Sequence, residues 1–150
     1  MGKAGSRIVA FLLALAVAYL IGTATYSQLN LASLVEMGMP VDSSVRWMTF
    51  WHDFTHMYDL YLVLLAVALL LGFGIATLIL KWVPQLRTLG YVSAGFVAVF
   101  ALDYLLGAVL TGGTHPLVVT RTTMGLLSQC LAGAVAGWVM VTALDKLRSE

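Results

Sequence analysis

The residues best suited to chemistry stand in one short run, His52-Asp53-Phe54-Thr55-His56-Met57-Tyr58-Asp59. On an α-helix turning about 100° per residue, His56 lies roughly 40° from His52 and Asp59 about 20° the other way, so all three leave one face. Two imidazoles one turn apart with a carboxylate beyond them form a ligand set for a divalent metal, since zinc and copper accept both donor types. His115 is a candidate further ligand, and the thioethers of Met37, Met39, Met48 and Met57 would favour Cu(I). Haem is the weaker reading, because bis-histidine ligation wants histidines on facing helices inside a bundle. Flanked by Trp47, Trp51 and Tyr58, the same residues also read as an interfacial polar face that holds no cofactor.

A second chemical candidate is Asp103, inside the apolar run Phe100-Ala101-Leu102-Asp103-Tyr104-Leu105-Leu106-Gly107. A carboxylate near a bilayer centre costs about 2.5–3.5 kcal/mol, less toward the edge, so it is expected to be paired or protonated. Arg121 is at a compatible depth on the following span, and Gly107 and Gly125 would let the two helices approach. Gln129 and Ser128 lie deeper and extend a polar stripe, and Tyr104 stands beside the acid. Asp103, Arg121, Gln129 and Tyr104 are therefore candidate ligand- or ion-binding residues. The competing reading is an ion pair between Asp103 and Arg121 that fixes helix register.

Other chemistries are poorly supported. The chain has no HExxH, GxSxG, P-loop or CxxC, which argues against an enzyme. Cys130, the single cysteine, rules out an internal disulfide and reads as inert packing in an apolar span. With eight Lys and Arg against seven Asp and Glu, the net charge of +1 supplies no cationic stripe for nucleic acid.

What must position these residues follows from composition. Of 150 residues 61% are hydrophobic and 10% charged, far from the roughly 25% charge of soluble domains. A spanning helix needs about 20 mostly apolar residues, and four stretches qualify: 8–26, 60–80, 89–110 and 118–144. They lack the alternation of barrel strands. The expectation is one all-α domain over residues 1–150, a bundle of four transmembrane helices whose first span is retained rather than cleaved as a signal. The opening Met1-Gly2-Lys3-Ala4-Gly5-Ser6 fits the myristoylation pattern only by chance.

Orientation follows from the cations. Lys3, Arg7, Lys81, Arg87, Lys146 and Arg148 fall on one side and only Arg46 and Arg121 on the other. The positive-inside rule then puts both termini in the cytoplasm, N-in and C-in, of a bacterial inner membrane. All three histidines and Glu36, Asp42, Asp53 and Asp59 gather toward the opposite, periplasmic face.

Three connections join the spans. Lys81 to Arg87 is a tight turn with Pro84, and Thr111 to Pro116 is rich in Gly and Pro. Between them in character is the first connection, where Leu31 to Gly38 reads as a short interfacial helix stopped by Gly38 and Pro40. Asp42, Ser43 and Ser44 offer N-caps for a new helix that starts near residue 45 and leads, with a bend, into the second span. Small residues recur at four-residue spacing: Ala10, Ala14, Ala18 and Gly22 on the first span, and Gly133 and Gly137 on the fourth. They fit either contacts within the bundle or a homo-oligomer interface.

The leading functional expectation is a binding or accessory module of the inner membrane with its site in the outer leaflet, formed by His52, His56, Asp59, Asp103, His115 and Arg121. Its partners would be the bilayer and a homo-oligomer or larger membrane complex. One alternative is a metal- or haem-binding redox or transport subunit using His52, His56 and His115. Another is a homo-oligomeric channel or transporter with Asp103 as its intramembrane ionisable group.

Overall fold

The computed structural model describes residues 3–56, 58–110 and 123–149. Helix α1 spans Lys3–Glu36, α2 Ser43–His56, α3 Val63–Ile79, α4 Arg87–Leu110 and α5 Thr123–Ser149. A π-helical turn, Tyr58–Leu62, leads into α3, and a 3₁₀ turn, Pro84–Leu86, leads into α4. Among the described residues there is no strand. Four helical stretches, Ala4–Glu36, Leu60–Ile79, Pro84–Leu106 and Thr123–Leu147, are long and apolar enough to cross a membrane.

The first connection differs from expectation. Rather than ending near Tyr26 and restarting at Leu31, α1 continues unbroken for 34 residues, about 50 Å and well beyond the ~30 Å hydrocarbon core. No glycine or proline occurs between Thr23 and Glu36, so nothing in the backbone ends the helix earlier. Gly38 ends it at φ +81°. Its N–H donates to the Val35 carbonyl at 2.9 Å, and the Met39 N–H donates to the Leu34 carbonyl at 3.1 Å. These two bonds form the glycine-terminated cap that satisfies the last carbonyls of a helix. The expected N-cap is present: Asp42 Oδ1 accepts from the Ser43 N–H at 2.7 Å and its carbonyl from the Arg46 N–H at 3.1 Å. Helix α2 ends at His56, and the π-helical turn Tyr58–Leu62 leads into α3.

Helix α5 is the centre of the bundle, packed along α1 on one side and α4 on the other, whereas α3 leans on α4 and barely touches α1. Ala10, Ala14 and Ala18 are fully buried on the inner face of α1. A Cβ on Gly133 would collide with the Gly95 carbonyl, and one on Gly137 with the Tyr91 carbonyl. Both small-residue stripes therefore serve close helix contacts within the chain, where lipid supplies no hydrophobic drive. The outer faces are as apolar as the core. On α3, Val67, Leu70, Leu71, Ile75, Leu78 and Ile79 are each more than half exposed, a surface that suits lipid and would be costly in water.

Candidate functional site

A polar cluster is buried where α1, the π-helical turn, α4 and α5 meet. Gln129 on α5, 2% exposed, bridges two other elements. Its Nε2 donates to the Gly22 carbonyl at 3.0 Å and to Thr25 Oγ1 at 3.4 Å, and its Oε1 accepts from the Tyr61 hydroxyl at 2.8 Å. A Cβ at position 22 would lie 2.5 Å from Tyr61 Oη and 3.0 Å from Gln129 Oε1, so any other residue there must displace the Tyr61 hydroxyl. Tyr61 is carried by the π-helical turn, a wider winding that is frequent at functional sites. Its ring packs on Tyr19 at 6.0 Å, and the Tyr19 hydroxyl in turn donates to the Phe54 carbonyl at 2.6 Å. Asp103 on α4 is 3% exposed and within electrostatic reach of Tyr61 and Cys130.

Two hydroxyls in this region stand apart from the others. Helical Ser and Thr normally turn their hydroxyl back onto a carbonyl one turn earlier, and Thr25, Ser33, Thr55, Thr77, Ser93, Ser128 and Thr142 all do. Thr23 and Ser27 do not. Both are fully buried on α1, one turn apart beside Gly22, and neither hydroxyl has a hydrogen-bond partner. A buried hydroxyl without a partner costs about 1–3 kcal/mol, so a donor or acceptor placed between them would be held strongly. An open apolar crevice of about 550 Å³, lined by Leu15, Tyr19, Phe54 and Leu62 among others, lies between α1, the end of α2 and the π-helical turn.

The structure brings together only part of the expected site. Asp103 and Gln129 are buried in the bundle. Tyr104 is 67% exposed on the outer face of α4, because one residue along a helix rotates a side chain by about 100°, and it stands outside the cluster. The Ser128 hydroxyl is satisfied by the Gly125 carbonyl of its own helix at 2.7 Å. Arg121 and His115 lie outside the described residues.

The imidazoles of His52 and His56 do meet, stacked with centroids 4.2 Å apart and planes 9° from parallel. They sit on the exposed face of α2, with His56 Nδ1 2.9 Å from the His52 carbonyl and His52 Nδ1 3.8 Å from Asp53 Oδ1. Asp59 falls in the π-helical turn, and its side chain lies outside what the structure describes. Among the described residues no three His, Cys, Asp or Glu are grouped to hold a metal. The exposed histidine pair and the buried Asp103 occupy different environments and do not form one site.

Tyr61, Gly22, Thr23, Thr25 and Ser27 are functional candidates that hydropathy does not reveal. The available signal was the spacing Tyr19, Thr23, Ser27, which puts three hydroxyls on one side of α1 at i, i+4 and i+8.

No known family, curated protein or solved structure matches this chain. Fold and site together define an all-helical protein with four candidate membrane spans and a buried polar cluster at one end of the bundle.

Proposed function

We propose that the protein is a binding or accessory module of a bacterial inner membrane, with both termini cytoplasmic. The cluster around Gln129, Tyr61, Asp103, Thr23 and Ser27 is its ligand site, reached from the outer side. The cation distribution supports the orientation, with six of eight Lys and Arg in the terminal and second-connection segments. The observation that carries the site is the pair of unpartnered, fully buried hydroxyls on Thr23 and Ser27, on the same stretch of α1 whose Gly22 and Thr25 accept from Gln129. Oxygen donors dominate, so the site suits a small polar ligand or ion better than a soft metal.

Apolar isosteres test this reading. If nothing binds, Thr23→Val with Ser27→Ala removes two orphaned hydroxyls and stabilises the folded protein. If the hydroxyls hold a ligand, the double variant lowers the Tm of protein purified in mild detergent from native membranes, and a raised Tm would reject the site.

The histidine pair favours a second, separate reading: a divalent-metal site on α2 completed by Asp59 or His115. Elemental analysis of the purified protein tests it, and a metal content unchanged in His52→Ala would reject it. In the channel reading, Asp103→Asn abolishes a flux in liposomes, and wild-type flux in that variant rejects it.

A further inference from the structure

The face between α3 and α4 is a groove of about 560 Å³ whose lining is apolar apart from Ser93, and the Ser93 hydroxyl is turned onto the Gly90 carbonyl at 3.1 Å. Leu71, Ile75 and Val97 form its walls, each more than half exposed. Its floor is thin because the helices nearly touch there: a Cβ on Gly72 would lie 2.8 Å from that of Ala98. Along α3 the groove runs from Leu64 to Leu80, about 24 Å of helix, against about 15 Å for one leaflet of a ~30 Å core.

One end of this groove is charged. It closes at Leu80 and Gly90, directly beside the turn Lys81-Trp82-Val83-Pro84-Gln85-Leu86-Arg87. Between residues 60 and 102 the chain carries Lys81 and Arg87 and no acid. Lys81 is exposed and makes no ion pair among the described residues. Arg87 uses one nitrogen on the exposed Asp145 carboxylate at 2.5 Å, and a guanidinium has five N–H donors. Trp82 is 88% exposed, as suits an indole at headgroup depth.

We infer that this groove and turn bind an anionic phospholipid. One acyl chain lies in the half of the groove nearer Leu80, the phosphate sits on Lys81 and Arg87, and Trp82 lies alongside the headgroup. Lys81, which has no ion pair among the described residues, selects the anionic lipid, with the remaining Arg87 donors beside it. A partner helix would use the groove but leave Lys81 without a counter-charge, and a zwitterionic lipid would bring its own cation to the same place.

Native mass spectrometry of the full chain, delipidated and then offered phosphatidylglycerol or phosphatidylcholine, tests the inference. Wild type retains phosphatidylglycerol preferentially, and Lys81→Gln lowers its retention about fivefold. Ser93→Trp, an exposed position inside the near half of the groove, abolishes the preference. Ala101→Trp, in the far half, leaves it intact. Circular dichroism confirms that each variant is folded. Equal retention of the two lipids by wild type would overturn the proposal. So would wild-type retention in both Lys81→Gln and Ser93→Trp, or loss of retention confined to Ala101→Trp.

Discussion

The hydroxyl of Tyr61 donates to Oε1 of Gln129 at 2.8 Å, joining two residues 68 positions apart at the turn that leads into α3. Helix α3 packs mainly on α4 and scarcely on α1. Gln129 closes that gap by holding the π-helical turn with one end of its amide and the Gly22 carbonyl with the other.

Gln129→Leu keeps the side chain's bulk and removes all three of its hydrogen bonds. The Tyr61 hydroxyl is then left buried without this acceptor, so the variant loses about 1–3 kcal/mol of stability. Adding Tyr61→Phe restores part of the loss, because both partners are then apolar. Unfolding in mixed detergent micelles, run as a double-mutant cycle, should return a coupling of about 1 kcal/mol. Additive losses would show that the two side chains do not depend on each other.

The glycines separate close packing from spare surface. A Cβ on Gly133 meets the Gly95 carbonyl, whereas one on Gly74 meets nothing within 4 Å. Gly133→Ala forces α4 and α5 apart and costs about 1–3 kcal/mol. Gly74→Ala is neutral or stabilising. Thermal unfolding of the two variants side by side checks this, and equal Tm values would contradict the close α4–α5 crossing.

Much of the fold is legible in the sequence because span length and hydropathy act over twenty residues and tolerate local error. Gly38 ends α1 and Asp42 precedes α2 as their residue types predict, whereas Pro84 does not end α3, which stops at Ile79, but opens the 3₁₀ turn before α4. The continuity of α1 was obscured by composition. Gln28 and Asn30 make the chain after Tyr26 look like an interfacial segment, yet neither ends a helix, and Gln28 accepts from Arg46 of α2 at 3.0 Å.

The site was legible only where a residue is conspicuous in lipid. Asp103 and Gln129 are rare enough in spans to be noticed, while Thr23, Ser27 and Tyr61 look like ordinary span residues. Their meaning depends on how α1 is rotated against α5, which hydropathy does not encode. Tyr104 shows the converse: next to Asp103 in sequence, it is turned about 100° away and is exposed.

Cys130 offers the most direct test of the central claim that the buried cluster is a ligand site open to the outer aqueous phase. It is the chain's single cysteine, fully buried, adjacent to Gln129 and within electrostatic reach of Asp103. The measurement is the labelling of Cys130 by a membrane-impermeant methanethiosulfonate, applied from the periplasmic side of spheroplasts. The account predicts slow but complete labelling of the folded protein, abolished in Cys130→Ala. Labelling that begins only when the protein unfolds would show a sealed cluster whose role is to fix helix register, and would contradict the account.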